Sequence, residues 1–296
     1  MAMVNSNRKK AWEFAKLTYE KWSRDNVPQL GASLAFYTAL SIAPLLVISL
    51  ALGAYVFGDE AARGEVANQM RSLVGDQGAQ AVQGIIANAQ KPASGAVATT
   101  LGVVTLLLGA SGVFGELQKS LNKIWDVEAR QGQGILRIIR DRFFSFVMVL
   151  GTAFLLLVSL VLSALLGALG KYFSNLPESV SWLSQVLNLL VSFGVITLLF
   201  AMIFKILPDA QIAWRQVWLG AALTALLFTI GKFFIGLYLG RSSMASSYGV
   251  AGSFVVLLVW VYYSSQILYL GAEMTKVYAD QTGAHIRPAE NAKTAA

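Results

Sequence analysis

The chain has 296 residues, of which 56% are hydrophobic and only 13% charged, with a mean hydropathy of +0.59 and a formal net charge of +7. A soluble globular domain carries about twice that charged share, so composition places the chain in the membrane class. The lack of cysteine excludes disulfides, thiolate nucleophiles, iron–sulfur clusters and cysteine zinc sites, and the single histidine, His285, lies in a polar tail.

Residues 1–26 are polar and charged, and no short apolar region with a cleavage site follows them. The first apolar segment is therefore expected to stay in place as a signal anchor. Within residues 7–24, Trp12, Ala15, Tyr19 and Trp22 fall at helical spacing on one face, with Lys and Arg on the others. That pattern predicts a helix lying in the membrane interface.

A helix needs roughly 20 apolar residues to cross the hydrocarbon core. Such windows predict spans at about 30–57, 94–115, 144–169, 180–206, 216–240 and 250–272. They are apolar all round, unlike the one-sided helices of a soluble core. Stretches such as Leu155-Leu156-Leu157-Val158 show none of the alternation of a barrel strand. The predicted fold class is all-α, a polytopic membrane helix bundle of about six transmembrane helices with interfacial amphipathic helices. It reads as a single transmembrane domain over 1–280, followed by a flexible cytoplasmic tail, 281–296.

Connections carry the remaining signals. Between residues 59 and 91, Val66, Met70, Leu73 and Val74, then Val82, Ile85 and Ile86, predict two short amphipathic helices over one end of the bundle. Between 115 and 144, Leu117, Leu121, Ile124 and Trp125, then Ile135, Ile138 and Ile139, alternate with basic residues as a second interfacial brace. Arg8, Lys9, Lys10, Lys16, Lys21, Arg24, Lys119, Lys123, Arg130, Arg137, Arg140, Arg142, Lys205, Arg215, Lys276, Arg287 and Lys293 fall on one side of the spans. Arg63, Arg71, Lys91, Lys171 and Arg241 fall on the other. The positive-inside rule puts both termini in the cytoplasm and the protein in the cell inner (cytoplasmic) membrane. The basic surplus then matches anionic lipid on the cytoplasmic side of the bilayer, rather than nucleic acid. Association with further copies of the chain is left open. No self-similarity relates spans one to three with spans four to six, as an inverted repeat would. Small residues at close-packing spacing occur at Ser159, Ser163 and Gly167, at Gly236 and Gly240, and at Gly109, Gly112 and Gly115.

Three blocks resemble the YihY/BrkB family of bacterial inner-membrane proteins. The first is Ala32-Ser33-Leu34-Ala35-Phe36-Tyr37-Thr38-Ala39-Leu40-Ser41-Ile42-Ala43-Pro44-Leu45. The second is Gly112-Val113-Phe114-Gly115-Glu116-Leu117-Gln118, with Leu121-Asn122-Lys123-Ile124-Trp125. The third is Ser247-Tyr248-Gly249-Val250-Ala251-Gly252-Ser253, with Trp260-Val261-Tyr262-Tyr263-Ser264 and Gly271-Ala272-Glu273. Ala43 stands where the family pattern has a bulky residue. The resemblance covers roughly residues 10–280 in order and implies a six-span cytoplasmic-membrane protein. It implies no settled activity: members have carried a ribonuclease BN label, and others have been linked to virulence or to export across the envelope.

The residues argue against an enzyme. RNA hydrolysis needs a His/carboxylate metal cluster or a paired acid and base, and the acidic residues here are scattered among loops. No phosphate-binding glycine loop of the P-loop type is present. No catalytic, cofactor-binding or metal-binding residues are therefore assigned, and no cofactor is expected. The candidates for a cavity or transport path are polar groups within spans. Lys232 lies at depth in span five, or snorkels to the outer interface. Pro44 frees a carbonyl near Leu40, beside Tyr37, Thr38 and Ser41. Gln266, with Ser264 and Ser265, and Gln185 and Asn188 add polar atoms. Glu116 with Lys119, and Glu273 with Lys276, are candidate ion pairs at inner helix ends. A transporter of small solutes or lipids would set Tyr37, Ser41, Lys232 and Gln266 on one cavity wall. The alternative, a non-catalytic envelope scaffold or assembly factor, would bury them in separate contacts.

Overall fold

Asn26 adopts a left-handed backbone, φ 55, and so splits what would be one long helix into α1 (Ala2–Arg24) and α2 (Val27–Phe57). Pro28 fits the first turn of α2, where no helical partner for its missing N–H is lost. Gly58, at φ 85, ends that helix and returns its N–H to Ala54 O. The computed structural model describes residues 2–58, 60, 64, 83–84, 112–129, 181–241, 252–283, 286–289 and 292–294. The predicted third span, nearly all of the second, the two outer amphipathic helices, the brace beyond residue 129 and His285 lie outside the described residues.

Beyond α2, the described part of α3 is helical over 112–124 and runs through the left-handed Asp126, φ 51, into β1 (Val127–Ala129). Then follow α4 (Ser181–Ile206), β2 (Ala210–Gln211), α5 (Trp214–Arg241) and α6 (Gly252–Gln281). Two strands close the chain, β3 (Arg287–Pro288) and β4 (Ala292–Thr294). The described structure is mostly helical. Within it two stretches, Trp214–Ile235 and Phe254–Gln281, are long and apolar enough to cross a membrane, and Ser192–Ile206 is a shorter apolar helix. At about 1.5 Å per residue, α6 is longer than the roughly 30 Å of hydrocarbon, so one end of it projects beyond.

α6 is the axis on which α1, α2 and α5 pack, and α4 packs on α5. Close approach of α5 and α6 rests on a reciprocal arrangement of glycine and threonine. A Cβ on Gly220 would lie 1.7 Å from Thr275 Oγ1, and one on Gly271 would lie 1.8 Å from Thr224 Oγ1. Each hydroxyl donates at 2.7 Å to the carbonyl four residues earlier on its own helix, Thr224 to Gly220 and Thr275 to Gly271. Both threonines are thus satisfied within their own helix and present only their bulk to the facing glycine. Farther along, edge and stacked contacts link Trp125, Phe204, Phe200, Phe228 and Trp260 across α3 to α6.

The main core lies toward the end of the bundle that bears α1 and the strands, with Val27, Leu121, Ile124, Phe204, Val217 and Tyr269 all buried. Large apolar side chains also stand on the outside of the described helices. Phe36, Leu40, Leu189, Leu190, Phe233 and Phe234 are each about 60% exposed or more. Large exposed apolar side chains of this kind are readily accommodated by lipid.

The tail differs from the flexible segment expected over 281–296. β4 pairs antiparallel with β1, and β3 with β2, so β3 and β4 strap the turn after α3 to the connection between α4 and α5. Ala292 is buried by that pairing, and Ala289 donates its N–H to Asp209 O. The strands are two or three residues long, too short to leave an alternating pattern in the sequence.

Candidate functional site

On α6, Ser265, Tyr269 and Glu273 recur every four residues and therefore stand one above another on one face, about 6 Å apart along the axis. All three are buried, Tyr269 and Glu273 completely. Ser265 donates to Val261 O at 2.7 Å within its own helix. The Tyr269 hydroxyl stands beside Ser120 of α3, with Glu116 beyond, yet neither the Tyr269 nor the Ser120 oxygen completes a hydrogen bond of ordinary geometry. One turn earlier on α3, Glu116 accepts a 2.5 Å hydrogen bond from Ser33 Oγ of α2. A file of polar side chains thus runs between α2, α3 and α6 through an otherwise apolar core.

At its α1 end the file opens into a charged cluster. The Glu273 carboxyl faces that of Asp25, the residue joining α1 to α2. Neither Glu273 oxygen receives a hydrogen bond among the described residues. Arg24 donates to Asp25 at 3.0 Å and reaches Asp126 at 3.4 Å. That hydrogen bond to Asp25, outweighing the cost of partial burial, raises the guanidinium above its ordinary value, so Arg24 is a permanent cation here. Lys276 donates to Ile124 O at 2.8 Å and to the Asp126 carboxylate, which closes the end of α3. Lys21 pairs with Asp280 at 2.5 Å. A second clamp lies nearby: Asn122 donates to Asp209 Oδ2 at 3.0 Å and accepts the Asp209 backbone N–H at 2.8 Å, tying α3 to the α4–α5 connection.

The predicted candidates are distributed as follows. Tyr37 and Ser41 both border Gly112 of α3, each 3.5 Å from where its Cβ would be. Gln266 sits over Gly31 and reaches Val27 O at 3.5 Å, toward the other end of the described α2–α3 contact. Lys232 is exposed on α5 beside the outward Phe233 and Phe234, away from all of these. Pro44 lies within an uninterrupted α2, and its side chain lies outside the described residues, as do those of Gln185 and Asn188. Lys276 turns to Asp126 rather than Glu273, and Glu116 to Ser33 while Lys119 is exposed, so neither expected ion pair is formed. Spacing of three along a helix favoured those pairs, but the better acceptors came from other elements. The four residues named for one cavity wall are not gathered on one.

Missing from the sequence reading were Asp25, Arg24, Asp126, Ser33, Ser120 and Tyr269. The four-residue spacing of Ser265, Tyr269 and Glu273 was a usable signal for the file. Asp25 and Asp126 were not distinguishable by pattern from ordinary helix-end residues. Among the described residues, no group of three His, Cys, Asp or Glu is arranged to hold a metal ion.

Compared with known proteins, residues 18–296 match the family model described as Virulence factor BrkB. The chain is 30% identical over 266 residues to a UPF0761 membrane protein of Verminephrobacter eiseniae, covering 88% of this chain and 61% of that protein. It is 28% identical over 283 residues to a UPF0761 membrane protein of Psychromonas ingrahamii, covering 92% and 90%. A UPF0761 membrane protein of Psychrobacter is 26% identical over 279 residues, and the chain spans only 48% of its length. No solved structure matches the chain.

Proposed function

Because the chain belongs to the Virulence factor BrkB family, whose relatives are named as membrane proteins, we propose that it moves or accommodates a small solute or lipid across the cytoplasmic membrane. In this reading it is a six-span protein with both termini inside, non-enzymatic and without a cofactor. α1 lies on the inner leaflet: Trp12 and Tyr19 remain exposed on its outward face, while Thr18 and Trp22 turn to the bundle. Anionic headgroups are the natural partners of Lys9, Lys10 and Lys16 on that helix.

The observation that carries the reading is the polar file itself. Ser33, Glu116, Ser120 and Tyr269 meet between three helices, with Glu273 one turn farther along α6, and groups of this kind inside a membrane bundle are expensive unless they serve a passage or a binding event. Lys232 takes no part, since an exposed ammonium on the lipid side snorkels to the interface. Release of polar solutes and exchange of labelled lipid in reconstituted vesicles tests this. Wild type is expected to exceed empty vesicles, Glu116→Gln to fall toward them, and Lys232→Ala to match wild type.

A scaffold role has one specific observation in its favour: Ser41 with Gly112, and Gln266 with Gly31, sit in separate pairwise contacts. Identical release from protein-containing and empty vesicles would decide for it.

A further inference from the structure

We propose that Asp25 and Glu273 together form a binding site for a single proton, the ion whose movement drives the proposed passage. The inference names the coupling ion of that reading and rests on it for its role, while the proton site stands on geometry of its own.

Glu273 is fully buried and the Asp25 side chain is 7% exposed. The two carboxyls face each other, and among the described residues no donor reaches either Glu273 oxygen. Among the described residues, every cation near them is engaged elsewhere or shared. From α1, Lys21 is drawn to Asp280 and Arg24 is divided between Asp25 and Asp126. From α6, Lys276 is turned to Asp126 and Ile124 O. α5 presents Gly220 and Thr224 to this stretch of α6, neither of them charged. Among the described residues, three cations, Lys21, Arg24 and Lys276, meet four carboxyls, Asp25, Asp126, Glu273 and Asp280. One proton shared between the two buried carboxyls leaves the pair a single negative charge, which Arg24 at Asp25 balances.

That proton supplies the missing donor. Bound to one carboxyl, it forms an O–H···O hydrogen bond to the other and holds the start of α2 against α6. Its loss to water leaves two carboxylates facing each other with no donor between them. Repulsion then parts α1 and α2 from α6 at the mouth of the polar file. Proton binding and opening of the file are in this way one event. A metal ion is a poorer occupant, because Arg24 and Lys276 already place positive charge around the site.

Infrared difference spectroscopy on the full chain in lipid tests the site. Wild type is expected to show the carbonyl stretch of a protonated carboxyl at neutral pH, and both Glu273→Gln and Asp25→Asn to lose it. Either variant suffices should the other fail to fold. A wild type without that band, or a band untouched by both substitutions, overturns the proposal. Solute release from the same vesicles under an imposed pH gradient tests the coupling. Stimulation by the gradient, lost in Glu273→Gln, supports it. Release indifferent to the gradient overturns proton coupling and leaves passage standing. A band with no release at all overturns passage and leaves the proton site standing.

Discussion

Thr275 fills the space over Gly220 so fully that a Cβ there would lie 1.7 Å from its Oγ1 and 2.9 Å from its own Cβ. Neither atom can swing away, because the hydroxyl is bonded to Gly271 O and the side chain is buried. Gly220→Ala is therefore expected to force α5 from α6 and to lower stability by about 1–3 kcal/mol. At Gly31 the crowding atom is the far end of the Gln266 amide, which can rotate aside, so Gly31→Ala should cost much less. Thermal unfolding in mild detergent compares the two; equal losses would contradict the arrangement.

Lys276 caps α3 through Ile124 O and balances Asp126. Lys276→Met leaves the Ile124 carbonyl without its donor and Asp126 with Arg24 alone, which costs about 2 kcal/mol after allowance for solvent at Asp126. Asp126→Asn keeps an acceptor for the ammonium and should cost roughly half as much. Denaturant midpoints of the two variants give the order, and a more damaging Asp126→Asn would reverse the assignment.

Asn122 both donates to and accepts from Asp209, using the separate NH2 and C=O groups of its amide. Asn122→Asp replaces the donor with a second carboxylate against Asp209. Hydrogen exchange should then rise in residues 207–212, while Asn122→Gln, with the same groups on a longer stem, shows a smaller change. Unchanged exchange in the Asp variant would show that the clamp is idle.

Removal of residues 286–296 unpairs β1 and β2 together, since both of their partners lie in that segment. Exchange of backbone amides at 127–129 and 210–211 should become fast, with the helical core little affected. Protection that persists in the truncated chain would mean the strands are held by something other than the tail.

Much of this fold was legible because hydrocarbon imposes a simple code. The windows at 30–57, 180–206, 216–240 and 250–272 overlie much of α2, α4, α5 and α6. The charged cluster was not legible. Its members come from residues 21–25, 126 and 273–280, and nothing in local periodicity says that Lys276 prefers Asp126 to Glu273 three residues away. Lys232 is the one cation at depth in a predicted span, yet depth along a helix is not direction around it. The tail strands escaped because two-residue pairings are set by the surfaces they meet, not by their own composition.

Everything rests on lipid covering the exterior formed by α2, α4 and α5, with α1 and the tail together on the inner side. A chain without cysteine permits single-cysteine labelling with no background. A membrane-impermeant maleimide is expected to label Thr294→Cys in inverted vesicles only, Glu60→Cys in right-side-out vesicles only, and Phe234→Cys in neither. Labelling of Phe234→Cys as readily as Thr294→Cys would contradict the account.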